Sequence, residues 1–130
     1  MITLTGLCRF RVKGEISNRL PYRQAQVDYL PFEADLKPLA DDDGFDRIRF
    51  LGALKAYLER HALDVDWDTA KSAPAEALVN SLSMALPFEP AERQALLEAV
   101  SFPDRRDVLV TLMEIDAADR SGDDDPRWLQ

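Results

Sequence analysis

The residue types that could carry out covalent catalysis are few in this 130-residue chain. Cys8 and His61 are its only thiol and imidazole. A nucleophilic thiol needs a partly exposed, electropositive setting beside a base, whereas Cys8 alternates with Leu4 and Phe10 on the apolar side of a predicted strand. The pattern therefore favours a small buried residue for Cys8, and for His61 a surface position at a helix C-terminus, where a cation interacts well with the helix dipole.

The acidic run from Asp41 to Asp46 has part of the composition of a calcium loop. When Asp43 and Gly44 are placed at loop positions five and six, Leu39 falls on the first ligand and Phe50 on the bidentate glutamate. Neither side chain can coordinate a cation, and no Cys/His cluster has zinc spacing. We predict no metal site and no cofactor, and an acidic linker in which Asp43 caps the following helix.

Charge and cysteine content restrict the classes of partner and compartment. The net charge of −8 and the pI near 4.6 disfavour nucleic acid, and the basic face formed by Arg9, Arg11 and Lys13 is typical of a solvated or paired strand face. A single cysteine and the lack of a secretory pattern favour the cytoplasm. The apolar runs are too short for a bilayer span, so no membrane interaction is predicted.

Two strands are predicted near the N-terminus. Residues Ile2 to Lys13 alternate between apolar and polar side chains, with a bulge or close backbone approach expected at Gly6. After a polar connection, Tyr22 to Leu30 form a second strand, which Pro31 ends. Paired strands cannot cover each other's faces. We expect either that helices cover them or that strands upstream of Met1 belong to the natural protein, which would leave an exposed sheet edge.

Helical periodicity dominates the rest of the chain. A helix is predicted from Phe45 to Ala62, a short turn or helix from Asp64 to Ala73, a helix opened by Pro74, a corner at Pro87, a helix from Pro90 to Val100, and a last helix from Ser101 that Ser121 and Gly122 stop. Their predicted apolar stripes are Ile48, Leu51, Leu54 and Leu58; Leu78, Leu82 and Leu86; Leu96, Leu97 and Val100; and Val108, Leu109, Leu112, Met113 and Ile115.

These elements predict an α+β fold, in which an antiparallel β-hairpin, the remnant of a β-rich lobe, leads into a bundle of about four helices. We predict one domain over residues 1–122, with the hairpin in residues 1–32, the bundle in residues 44–120 and a flexible tail in residues 123–130.

The order of several motifs resembles a known family. They are TGLCRFRV with Gly6, Arg9 and Phe10, then PYRQAQVDYLP, then LKAYLE, and finally the LSMALPFEPAERQALLEAV corner. In this order they are similar to the C-terminal part of the Lon protease N-terminal domain, including small stand-alone bacterial proteins that resemble that domain alone. The resemblance covers about Ile2 to Ala117, and the first strands of the family's lobe, with their P-L-F-P-L and E-P-R-Y motifs, are absent from this chain.

The resemblance implies recognition of substrate proteins rather than catalysis. The chain contains no G-x-x-x-x-G-K-[ST] phosphate loop and nothing resembling the peptidase's serine–lysine site. The implied partners are unfolded or peptide segments of proteins, with a protease as a candidate partner. This is an argument by analogy with the family.

Aromatic residues at element boundaries are the candidate peptide-binding residues. Phe32, Trp67, Phe88 and Phe102, together with Trp128 in the tail, lie there rather than inside the apolar stripes. Boundary aromatics usually close the ends of a core, but exposed together they would form a patch that holds apolar peptide segments.

The favoured function is thus a non-enzymatic polypeptide-recognition module. The alternatives are a small-ligand binder or enzyme with a pocket between sheet and helices, and a structural module that forms homo-oligomers through an open strand edge.

Overall fold

A computed structural model describes residues 1–39 and 44–123, with the side chains of residues 120–123 excepted. The chain divides into two compact units, Met1–Ala40 and Asp41–Gln130, called here the strand unit and the helical unit. Strands lie in the first unit and α-helices in the second, so the predicted α+β class is confirmed. Asp41 to Asp43 and residues 124–130 of the predicted tail lie outside the described residues. The prediction that Asp43 caps the following helix was wrong, because that helix begins at Arg47 and its N-cap is Asp46, whose carboxylate accepts from the Arg49 N–H at 3.0 Å.

The strand unit contains one antiparallel hairpin. Strand β1 (Arg11–Ile16) pairs with β2 (Gln24–Asp28), and a 3₁₀ segment, Leu30–Leu36, follows with a kink at Phe32. The prediction of a strand from Ile2 to Lys13 was wrong in extent, because β1 begins at Arg11 and residues 2–10 have no strand partner among the described residues. Alternation marks side chains suited to a pleated surface, whereas a strand also needs a neighbour for its backbone hydrogen bonds.

A β-bulge at Lys13 changes the faces of β1. Val12 pairs with Val27, but the next paired residue of β1 is Gly14, opposite Gln26. Since paired residues share a face and faces alternate along a strand, Val12 lies on one face of the hairpin and Ile16 on the other. Gly6 itself lies outside the paired strands, and a Cβ added there would meet open space, so the bulge or close backbone approach predicted at Gly6 is not found.

The helical unit contains five α-helices within the described range. They are α1 (Arg47–Arg60), α2 (Trp67–Ser72), α3 (Ala75–Ala85), α4 (Pro90–Glu98) and α5 (Phe102–Asp123). The long helix α5 packs against α1, α3 and α4, and α1 contacts α2. The core formed between them includes Phe50, Leu54, Tyr57, Leu58, Val79, Leu82, Leu86, Phe88, Leu96, Phe102, Leu109, Val110 and Met113.

The predicted stripes were only partly right about which side chains are buried. Ile48, Leu97, Val100 and Ile115 are exposed, although each was assigned to a stripe. The core instead takes Phe50, Tyr57, Val79 and Val110. Helical periodicity gives the width of an apolar face, but the direction from which the neighbouring helices approach selects the residues at its centre.

The corner between α3 and α4 agrees with its prediction. Pro90 is the first residue of α4, and the backbone N–H of Glu89 donates to the Glu92 carboxylate at 2.8 Å. Arg93 is exposed, as predicted, and its Nε–H also donates to the carbonyl of Phe88 at 3.0 Å. This bond satisfies a carbonyl that the proline-rich turn leaves outside a helix.

Carboxylates at the N-termini of two helices predict an acid-sensitive local structure: Asp66 is the N-cap of α2, and Asp104 in the first turn of α5 accepts a hydrogen bond from Ser101. Hydrogen bonds from Thr69 to Asp66, at the start of α2, and from Ser101 to Asp104, at the start of α5, hold the pKa of each carboxyl below its usual range. A lowered carboxyl pKa in the folded state adds stability above the unfolded-state pKa, which is lost as the pH falls through the folded-state value. We expect the first turns of α2 and α5 to fray below about pH 4.

Amide hydrogen exchange over a pH series would measure this fraying, after correction for the intrinsic exchange rate. The Asp66→Asn variant keeps a capping oxygen that does not titrate, so α2 should lose its acid sensitivity while α5 retains it. Equal acid sensitivity of α2 in both proteins would show that the cap is not the cause.

Candidate functional site

The four predicted peptide-binding aromatics have different surroundings. Phe88 and Phe102 belong to the core of the helical unit, and Phe32 is buried in the strand unit. Trp67 is partly exposed at the start of α2. Of these four side chains, Trp67 is therefore the one available at the surface without a change in conformation, and the role of the others in peptide binding stays a prediction.

Trp67 lines a groove between α1 and α2, called here the Trp67 groove. Its volume is about 400 Å³, and its lining residues are Leu51, Gly52, Lys55, Trp67 and Lys71. On α1, Lys55 lies four residues after Leu51 and three after Gly52, and on α2, Lys71 lies four residues after Trp67. Residues at these spacings share one face of a helix. An indole ring and a leucine form an apolar wall, while two ammonium groups supply positive charge.

Gly52 forms the open part of this groove. A glycine inside a helix costs about 0.5–1 kcal/mol relative to alanine, and packing within the chain does not require one here, because an added Cβ would have no atom within 4 Å. The exposed backbone at Gly52 thus provides space that a larger residue would fill. Sequence reasoning missed this position, although a lone glycine within a predicted helix was a visible signal.

The strand unit has exposed apolar side chains on both faces of its hairpin, and these side chains together with the hairpin edges are called here the strand surface. Both strands of the hairpin have an edge without a strand neighbour among the described residues. The exposed large apolar side chains of this unit are Met1, Ile2, Leu4, Leu7, Phe10, Val12, Ile16, Leu20, Tyr22, Tyr29, Leu30, Leu36 and Leu39. Single apolar residues scattered over a surface are normal, but a set of this size next to open strand edges is typical of a surface that binds another chain.

The strand surface has an ordered anchor. The Arg9 backbone N–H and its Nε–H donate to Asp35 Oδ2 at 3.0 and 2.8 Å, and a second guanidinium N–H donates to Oδ1 at 2.8 Å. The guanidinium also lies 4.4 Å from the centre of the Phe32 ring. Next to the anchor, the rings of Phe10 and Tyr29 meet edge to face at 5.8 Å. These contacts fix the segment before β1 against the 3₁₀ segment.

A comparison with protein families gives the decisive observation. The model of the ATP-dependent protease La (LON) substrate-binding domain matches residues 1–114. The chain belongs to this family. The match confirms the resemblance found in the motifs and makes the chain a substrate-recognition module in the general sense. Neither a curated protein nor a solved structure matches the chain.

The thiol and imidazole of this Lon-type chain each have local partners. Cys8 Sγ donates to the carbonyls of Arg9 and Phe32 at 3.2 and 3.4 Å. His61 Nε2 lies 3.0 Å from Asp116 Oδ1, and its ring packs on Tyr57 with centroids 4.3 Å apart. His61 thus joins the C-terminus of α1 to α5. Sequence reasoning placed it correctly at a helix end but did not identify Asp116 as its partner.

Tyr57 is the side chain of the helical unit whose pKa changes most clearly. Burial, followed by the negative charges of Asp116 and Glu92, raises the pKa of its phenol to about 12. The hydroxyl therefore keeps its proton throughout the physiological range. A neutral, buried phenol of this kind packs and donates a hydrogen bond rather than acting as a base.

A second depression, of about 370 Å³, lies where α1 and α5 begin. Its charged side chains are engaged: Arg49 forms a fork with Glu114 at 3.0 and 2.9 Å, and Arg106 donates to Asp107 at 3.0 Å. In residues 1–39 and 44–123, no three His, Cys, Asp or Glu side chains gather as a metal site would require. The same residues include no helix with the length and apolar character needed to cross a bilayer.

Proposed function

We propose that the chain is a non-catalytic module that binds unfolded segments of other proteins in the cytoplasm, and that it acts as a partner of a protease. The observation that carries this proposal is the strand surface, since a family whose domain binds protein substrates is here combined with a large exposed apolar area and open strand edges. The occupant of this surface is an extended apolar segment, which pairs its backbone with an open edge.

Strand addition explains why both features occur together. Unpaired N–H and C=O groups at a strand edge can bond to any extended chain, because the backbone is common to all sequences. Exposed side chains such as Phe10 and Tyr29 then select apolar segments, which are accessible in unfolded proteins and buried in folded ones. Backbone pairing and apolar side chains together suit a receptor that binds segments of many different sequences, provided that these segments are extended and unfolded.

A binding titration tests the proposal. The full chain is added to a fluorescent, reduced and alkylated protein that cannot fold, and anisotropy reports the complex. We expect saturable binding, and a loss of about fivefold or more when Phe10→Ser is combined with Tyr29→Ser, because about two partly buried aromatic contacts are removed. The same labelled protein with its disulfides left intact is folded, and it should not bind.

The matched control changes two exposed apolar residues of the helical unit, Met84→Ser and Ile115→Ser, and should leave the affinity unchanged. No saturable binding of the unfolded protein would refute the proposal, and so would an equal loss in the two double variants. Sedimentation of the chain alone is the remaining check. A stable dimer that does not bind the unfolded protein would favour the oligomerisation module, since the strand edges would already be paired.

A further inference from the structure

We propose that the Trp67 groove binds one large apolar side chain of a polypeptide in which the flanking residues are acidic. The inference rests on the proposed function, because it specifies a class of polypeptide sequence. It concerns a different surface, however, since the groove is formed entirely by the helical unit. Its support comes from the shape of the groove, from its two lysines and from the residues next to it on α1.

The volume of the groove is sufficient for one large side chain. Leu51 and the indole of Trp67 supply the apolar walls, and Gly52 keeps the space above the α1 backbone empty. A flat aromatic or branched aliphatic side chain entering there would contact the indole and displace water from both surfaces. The volume of about 400 Å³ exceeds that of a single side chain, so one large side chain fits there together with the backbone next to it, whereas a folded element does not.

The apolar contact extends beyond the groove along α1. Ile48 lies one turn before Gly52, on the same side of the helix, and its side chain is 88% exposed. An isoleucine so exposed on a helix contributes nothing to the core of this chain. A peptide running along α1 would cover Ile48 with a second apolar residue while the first fills the groove.

The charge of the groove is opposite to that of the chain. The whole protein has a net charge of −8, yet two of its four lysines, Lys55 and Lys71, line this one groove. Lys55 is 3.9 Å from Glu59, in an exposed pair of the kind that water weakens, and Lys71 forms no ion pair with a described residue. Both ammonium groups can therefore meet carboxylates placed on either side of the bound apolar residue.

The charge of the rest of the protein opposes the binding of acidic peptides and so restricts this selectivity to the groove. A strongly acidic surface repels acidic peptides at long range, so an acidic peptide gains only where positive charge is concentrated. The groove is such a place within the helical unit. It consequently selects acidic–apolar sequences by position, whereas the strand surface selects extended apolar segments by backbone pairing.

Peptides test this inference directly. The first is a twelve-residue peptide with a central leucine flanked by aspartates, and the second has asparagines in place of the aspartates. Trp128→Phe leaves Trp67 as the single tryptophan, so the emission of Trp67 reports occupancy. We expect the aspartate peptide to bind about threefold to tenfold more tightly at low salt, with a blue shift of the emission, and to lose this advantage in 0.5 M salt.

Two variants separate the apolar and ionic contributions. Gly52→Leu fills the groove and should weaken both peptides at least tenfold while the unfolding midpoint stays the same or rises, because leucine is the better helix former. Lys55→Gln with Lys71→Gln should make the two peptides bind equally. The matched controls are Ala77→Leu, which adds an exposed leucine to α3, and Lys13→Gln with Lys37→Gln, which gives the same change in net charge.

The outcomes distinguish this inference from the proposed function. If the unfolded protein binds but Gly52→Leu has no effect on the peptides, the groove assignment is refuted while the strand surface stands. If the aspartate preference survives the Lys55/Lys71 variant, or disappears equally in the Lys13/Lys37 control, the acidic specificity is refuted. Failure of every unfolded protein and peptide to bind would instead refute the proposed function itself.

Discussion

Truncation of Leu109 to alanine should lower the free energy of unfolding of the helical unit by about 3 kcal/mol. Leu109 is 0% exposed, on the side of α5 that packs against the other helices. Removing its isobutyl group forfeits the transfer free energy of that group and leaves a cavity, which closely packed neighbours such as Leu54 and Met113 fill only in part. Urea denaturation followed by far-ultraviolet circular dichroism would measure the loss.

Ile115→Ala is the matched control for this variant. Ile115 lies on the same helix and is also aliphatic, but it is 54% exposed, so its truncation should change the free energy of unfolding by no more than about 0.5 kcal/mol. Similar losses in the two variants would contradict the packing described here. The comparison also tests whether the exposed residue Ile115 contributes to stability. The control with Met84→Ser and Ile115→Ser assumes that it does not.

Replacing Asp35 by alanine should destabilise the strand unit by about 2–4 kcal/mol. The Asp35 carboxylate accepts three hydrogen bonds from Arg9, and the two side chains are only 19% and 15% exposed. The substitution removes these three bonds from a partly buried arginine, whose desolvation they help to compensate. Amide exchange in β1 and β2 should become more than tenfold faster, while the helices of the other unit are unaffected.

Glu15 provides the control within the same unit. Its carboxylate forms a comparable fork with Arg23, at 2.7 and 2.9 Å, but both side chains are largely exposed. Water screens such a pair, and ordering two long side chains offsets part of its energy. Glu15→Ala should therefore change amide exchange little. If both alanine variants accelerate exchange equally, the buried anchor does not hold the strand unit together.

The helices could be predicted closely from the sequence because their signals are local. Pro74 and Pro90 each mark the start of a helix within one position, and the α3–α4 corner was predicted at Pro87. The strands could not be placed as well. Alternation continues through residues 2–10, where no partner strand is described, and the bulge at Lys13 depends on how β1 and β2 pair.

The candidate sites were predicted less completely than the fold. Trp67 was identified as a boundary aromatic, but Gly52, Lys55 and Lys71 were not assigned to it. Gly52 and Lys55 belong to α1, whereas Lys71 lies on α2 one turn after Trp67. Only the packing of α1 against α2 brings these residues to one groove. Phe88 and Phe102 have the same boundary pattern as Trp67, yet both are buried in the core of the helical unit, where the Phe88 ring packs against Tyr57 of α1.

The sequence alone determined the α+β class, the order of the helices and the family, since these depend on periodicity, helix-terminal residues and ordered motifs that are read along the chain. Tertiary structure decided which apolar residues remain at the surface. Ile48 and Leu54 both belong to the predicted stripe of α1, but the neighbouring helices cover Leu54 and leave Ile48 exposed. Burial depends on the direction of helix approach, which a single sequence does not contain, and the proposed binding surfaces depend on burial.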